Sequence, residues 1–286
     1  MTRQKIALVG IGKIARDQHV PALEASDDWE LAATYSSNST LDGIDSYTSM
    51  ESLLDQRDDI RTVSLCLPPV PRFDCAAMAL KAGRNVMLEK PPGATVAECH
   101  ALEAMAREHG VSLFATWHSR EAEQVDTARD WMKGKALTAL RIIWKEDVRR
   151  WHPGQDWIFD AGGLGIFDPV INALSIATAI LPDPLRVTGA ELEFPSNRET
   201  PIAGSMALAY PNGTEASVDM DFLKDGVATG DLRLGEHAKR HLLDVNVERS
   251  HGVPHHALRA RERKSRRGAS RRTNKKRGTA QAEATA

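Results

Sequence analysis

The chain has 286 residues and a mass of 31.4 kDa, too long for one small module and suited to one large α/β domain or to two domains. With 42% hydrophobic and 27% charged residues it can bury a core, which excludes a wholly disordered chain, and no apolar run approaches the roughly 20 residues a membrane span needs. The formal net charge of -2 joins an acidic body to a basic end: residues 251–286 hold 11 Lys or Arg against Glu262 and Glu283, leaving 26 basic and 37 acidic residues before them. The opening MTRQKIALVG enters an apolar strand without the features of a signal peptide, so a cytoplasmic protein is expected, with no membrane partner. Cys66, Cys75 and Cys99 form no C-x-x-C pair and indicate neither a disulfide framework nor a thiolate zinc site.

Taken in order, KIALVG (5–10) reads as a short buried strand and GIGKIARDQHVPALEAS opens a helix. Strands follow at 30–35, 62–67, 85–88 and 112–116, with helices between them, clearest at 71–83 and 95–109, where Gly83 and Gly110 stand at the C-terminal caps. Such alternation predicts a Rossmann-type, doubly wound parallel sheet over residues 1–118. After His118 the pattern changes to a helix near 121–133, a strand at 138–147, a Trp- and Gly-rich loop, a helix near 164–180 and two strands of period-2 alternation. In the last of these Ala216, Val218, Met220 and Phe222 share one face, and Glu215, Ser217, Asp219 and Asp221 the other. Residues 119–250 are therefore expected to form an α+β domain with an open, mostly antiparallel sheet, whose outer face is wet or joins a second copy of the chain. From His251 onward there is no Ile, Met or aromatic residue, and 251–286 is expected to be a disordered basic appendage. It has no interleaved aromatics or nucleic-acid-binding motif, so no specific nucleic-acid partner is expected.

Gly10-Ile11-Gly12-Lys13-Ile14-Ala15 has the G-x-G-x-x-[GA] form between a strand and a helix. The first glycine allows a tight turn, the second lets backbone approach a pyrophosphate, Ala15 keeps the helix near the sheet, and the helix N-terminus favours phosphate charge. Gly10, Gly12, Lys13 and Ile14 are accordingly candidate dinucleotide contacts. After the second strand, Ser36 and Ser37 should meet the adenosine ribose; no acid there repels a 2′-phosphate and no Arg grips one, so the cofactor is NAD or NADP. Pro68 and Glu89-Lys90 follow the third and fourth strands at the edge where such folds bind ligands, and Lys90 there can stabilise an alkoxide. Glu146 falls in phase with Leu140, Ile142 and Trp144 on an apolar strand face, and a carboxylate there needs a partner: a ligand, or Arg149 or Arg150. His118 and His152 match no zinc spacing, and no metal is expected; histidine beside tryptophan is also what a sugar site uses.

Together GIGKIA, Cys66-Leu67-Pro68-Pro69, Glu89-Lys90-Pro91 and GGLGIFDPVIN (162–172) resemble, in order and spacing, the glucose-fructose oxidoreductase and inositol dehydrogenase family. Within it, WKEDVRRWHPGQDWI and FDPVINALSI look most like the aldose 1-dehydrogenases acting on L-arabinose or D-galactose. The resemblance covers about residues 4–225 and stops near Gly226. It implies an NAD(P)-dependent enzyme that oxidises C1 of an aldopyranose to the aldonolactone, with Lys90, Asp168 and Asn172 at the reacting end and Glu146 and His152 on the other hydroxyls. Several family members carry His where this chain has Asn172, and Asn cannot accept a proton near neutral pH, so Asp168 becomes the candidate base. The competing reading is a non-catalytic sensor of sugar and dinucleotide on the same fold.

Overall fold

A computed structural model of the protein describes residues 2–225, 229–236, 241–249 and 256–264. The first unit runs β1 (Gln4–Val9), a wide helical turn (Ala15–His19) leading into α1 (Val20–Glu24), β2 (Trp29–Tyr35), β3 (Asp45–Tyr47), α2 (Met50–Gln56), β4 (Thr62–Leu65), α3 (Pro69–Lys81), β5 (Asn85–Glu89), α4 (Val96–Glu108) and β6 (Leu113–Thr116). Every pairing is parallel and the order is β3-β2-β1-β4-β5-β6. The winding thus reverses between β1 and β4 and opens a crevice beyond their carboxyl ends. Ile6 to Val9 are at most 2% exposed, and they read as an unbroken apolar run because helices cover both faces of the sheet. Ser49 caps α2, Thr95 and Glu98 form a reciprocal box at the start of α4, and Gly83 and Gly110 close α3 and α4 in the left-handed conformation expected of them.

The second unit contains α5 (Gln124–Met132), β7 (Leu137–Lys145), α6 (Val148–Trp151), α7 (Phe167–Ile180), β8 (Arg186–Glu193), β9 (Ala203–Ala209), β10 (Glu215–Asp221), β11 (Thr229–Glu236), β12 (His241–Arg249) and β13 (His256–Lys264). Its sheet is ordered β13-β12-β11-β7-β10-β9-β8, and it is antiparallel except where β10 runs beside β7. The face of Ala216, Val218, Met220 and Phe222 is buried, together with Leu140, Ile142 and Trp144 of β7, in one core with Val170, Ala173, Ile176 and Ala177 of α7. Edge strand β8 is almost wholly exposed.

One boundary differs from the sequence reading. Strand β13 lies inside the segment expected to be a disordered appendage, and the sheet reaches Lys264 instead of ending at 250. It pairs with β12 from His241↔Lys264 to Arg249↔His256 through backbone N–H and C=O groups, to which a basic composition is no obstacle. Residues 265–286 of that appendage lie outside the described residues. Among the described residues no helix is long and apolar enough to cross a membrane.

Candidate active site

The glycine turn has the geometry its spacing requires. Gly10 has a φ of +86°, its N–H donates to the Tyr35 carbonyl at 2.8 Å, and a Cβ there would lie 3.0 Å from the Leu67 backbone nitrogen. A Cβ on Gly12 would meet nothing within 4 Å, so the backbone faces open space where the helical segment 13–24 begins with Lys13 and Ile14. Beyond β2, the Ser36 hydroxyl donates to Asn38 Oδ1 at 3.3 Å and Ser37 is exposed. The loop carries no Arg of its own. The structure supplies one from the adjoining helix: Arg16 donates to the Thr40 carbonyl at 2.9 Å and to the Ser39 hydroxyl. Its partners lie 23 and 24 positions away, so inspection of the loop alone could not find it. Pro68 precedes α3 on the opposite rim of the crevice.

Lys90 follows β5 at the carboxyl edge, and its ammonium donates to Asp168 of α7 twice, to Oδ2 and to the backbone carbonyl, each at 3.1 Å. Both side chains are nearly buried, with 14% and 6% exposure. The two units therefore meet at a lysine–carboxylate pair. Asp168 Oδ2 also lies 3.7 Å from His152 Nε2, whose other neighbour is Glu146 Oε1 at 3.6 Å. Glu146, fully buried at the end of β7, accepts from the Trp144 indole N–H at 2.9 Å. Lys90, Asp168, His152 and Glu146 thus form one continuous line. The salt-bridge alternative for Glu146 is not what Arg149 provides, since that guanidinium engages Asp147 and Asp225. One turn along α7 from Asp168, Asn172 is 1% exposed and its Nδ2 has no hydrogen-bond partner among the described residues. A buried amide left so is a donor awaiting an acceptor.

Glu89 shares neither role. Its Oε1 lies 2.7 Å from His19 Nε2 and its Oε2 accepts the Lys90 backbone N–H at 3.1 Å, so both oxygens serve the protein. Burial disfavours charge on the imidazole, but contacts with Cys66 and Glu89 outweigh it and raise His19 to about 10. Burial also opposes the Glu89 charge, yet the pairing with His19 holds that carboxyl below the ordinary range. His118, half-buried at the end of β6, contributes to that lowering through its own charge. It belongs to the Glu89 side of the crevice. Arg72 of α3, 3% exposed, donates to the carbonyls of Leu67 at 3.0 Å, Glu89 at 2.6 Å and Pro91. Trp117, Trp151 and Trp157 are half-buried, and Trp157 packs on the second core.

A parallel sheet wound as β3-β2-β1-β4-β5-β6, a glycine turn at its switch point and a lysine–carboxylate pair facing it define a dinucleotide-binding oxidoreductase with a separate sheet domain. Residues 4–116 match the oxidoreductase family with an NAD-binding Rossmann fold. A galactose 1-dehydrogenase of Pseudomonas fluorescens is 39% identical over 230 residues, 76% of this chain and 70% of that one. The chain belongs to this GFO/IDH/MocA oxidoreductase family, whose Rossmann fold is NAD-binding. The structure of a D-galactose-1-dehydrogenase from Rhizobium etli aligns with a TM-score of 0.81 and 43% identity, over 92% of this chain and 85% of that chain. GenD2 from gentamicin A biosynthesis, solved with NAD, shares the fold at a TM-score of 0.78 and 20% identity, over 88% of this chain and 75% of its own.

Proposed function

We propose that the protein oxidises C1 of an aldopyranose of the D-galactose or L-arabinose type to the aldonolactone, in the cytoplasm, with NAD or NADP as acceptor. The carrying observation is the Lys90–Asp168 pair at the mouth of the crevice, 3.1 Å between Nζ and Oδ2, with the orphan Asn172 amide on the same helix. Similarity to two galactose 1-dehydrogenases supports the substrate class. Gly10, Gly12, Lys13 and Ile14 would hold the cofactor's pyrophosphate, and the nicotinamide, when bound, would supply the hydride acceptor.

Loss of hydride from C1 requires the C1 hydroxyl to give up its proton, and Asp168 is the acceptor in reach. Lys90 favours the developing oxyanion electrostatically, and Asn172 donates to the same oxygen to fix its orientation. His152, between Asp168 and Glu146, is set to hold a ring hydroxyl, while buried Glu146 fixes a hydroxyl further along the ring. A dimer or larger homo-oligomer joined through the outer face of the second sheet is part of the same reading.

D-galactose and L-arabinose share one pyranose ring from C1 to C4 and differ in the hydroxymethyl group at C5, so a scan of both, with D-glucose as the C4 epimer, tests the assignment. Sugar-dependent reduction of NAD or NADP, with the first two preferred over glucose, is expected. Tight binding of NADH and sugar without any turnover would transfer the protein to the sensor reading.

A further inference from the structure

The ion pair between His19 and Glu89 lies beneath the reacting centre, and no step above uses it. His19 ends the wide helical turn Ala15–His19, directly after the segment that faces the pyrophosphate position, and such turns concentrate at functional sites. Its side chain and that of Glu89 are each 10% exposed. Both ring nitrogens are engaged, Nε2 with Glu89 and Nδ1 with the Ser64 hydroxyl of β4 at 3.4 Å. The imidazole is therefore held from two strands at once. Through its second oxygen Glu89 takes the Lys90 N–H, and on the carbonyl side of the same turn Arg72 grips Glu89 and Pro91. The backbone of residues 89–91 is clamped on both sides, and its side-chain product is the Lys90 ammonium that reaches Asp168.

We propose that His19 is a positioning residue: acting through Glu89, it fixes the turn that aims Lys90 at Asp168 and ties that aim to the helix over the cofactor. The groups facing His19 are Glu89 of β5, Ser64 of β4 and Cys66 just beyond β4. A carboxylate with one free oxygen could rotate and let the turn relax, whereas one held at both ends cannot. The proposal rests on the reading that Lys90 acts at the reacting hydroxyl, and its test separates the two.

Four full-length variants suffice: His19→Ala, His19→Gln, Lys90→Ala and the double His19→Ala/Lys90→Ala. Misplacing a catalytic group by about 1 Å can cost about 10² in rate, so His19→Ala should lower kcat by about 10- to 100-fold while the Kd for NADH stays within about threefold. His19→Gln, whose amide can still donate to Glu89, should recover part of the loss. Adding His19→Ala to Lys90→Ala should cost less than about threefold more, because residues acting as a unit are non-additive. In the cofactor-free protein, acylation of Lys90 by an amine reagent, followed by peptide mass spectrometry with Lys5 as reference, should be several-fold faster in both His19→Ala and His19→Gln, more so in the former. Full additivity in the double variant, or unchanged Lys90 labelling, would overturn the proposal. Should Lys90→Ala keep a normal kcat, the catalytic reading of Lys90 falls, and the labelling rates alone decide whether His19 positions it.

Discussion

Asp168→Asn removes the proton acceptor while keeping the size and polarity of the side chain. The amide is the same size, and its oxygen can still meet Lys90 Nζ at the observed 3.1 Å, so sugar and cofactor should continue to bind. What disappears is the acceptor of the C1 hydroxyl proton, since Asn offers no base near neutral pH. Loss of a general base typically costs about 10² to 10⁴ in rate, or about 3 to 6 kcal/mol of barrier at roughly 1.4 kcal/mol per decade. Lys90, 14% exposed, also loses its counter-ion. Breaking a buried pair destabilises by about 3 to 5 kcal/mol, and at about 2–4 °C per kcal/mol the Tm should fall by on the order of 10 °C. Rates must therefore be taken well below the lowered Tm. Initial velocities at saturating D-galactose and NAD, followed through the absorbance of reduced nicotinamide across pH, give kcat, KM and the acid limb of the profile. The expected result is a depressed kcat, a KM for sugar within a few-fold of the parent, and an acid limb that flattens. A kcat within about threefold of the parent would refute the assignment and move the base to Lys90, which would then have to work as the neutral amine.

How far the sequence alone reaches depends on how local each interaction is. The Gly10–Ala15 turn and the Glu89-Lys90-Pro91 segment were legible because a strand, a turn and a helix adjoin within a few residues and each residue type has a conformational reason to be there. The apolar face of β10 was legible from period 2, and the odd phase of Glu146 from the same rule, because a strand reports burial residue by residue. Its neighbours were not: Arg149 is near in sequence, but Asp147 at the cap of α6 takes it, while the Trp144 indole donates to Glu146 and His152 lies 3.6 Å away. His19 stands near helical spacing with Ile14 and Leu23, which says nothing of a carboxylate partner. Its carboxylate partner lies 70 positions on, and only the folded sheet brings β4 and β5 beside that helix. Strand β13 was hidden for a different reason: composition reports what side chains can bury, and a hairpin ladder is made by backbone. The parallel step between β7 and β10 is equally silent, since pairing direction is fixed by the chain's path between strands.

Two further outcomes follow from the geometry. If Arg16 faces the 2′ position beside Ser37, Arg16→Ala and Ser37→Asp should each weaken NADP by about 10-fold or more, as expected for a lost charge-assisted bond or an added like charge, and leave NAD within about threefold. Kd values by fluorescence titration with both reduced cofactors decide it, and equal losses would place the 2′ end elsewhere. The other outcome concerns the loop that delivers Asp168 and Asn172. At Gly163 an added Cβ would lie 2.4 Å from the carbonyl oxygens of both Trp157 and Ile158, backbone atoms that cannot swing aside as a side-chain end could. Gly163→Ala must therefore push the 156–159 turn away from the start of α7, at a cost of about 1–3 kcal/mol as in overpacked cores. Gly189 is the control, because nothing lies within 4 Å of a Cβ there and its backbone is not in the left-handed region. Thermal unfolding should show Gly163→Ala melting several degrees below the parent and Gly189→Ala within about a degree, with kcat reduced only in the former because α7 carries the base. Equal Tm values for the two would mean the loop gives way freely, and the close fit before α7 would then not be what holds Asp168 against Lys90.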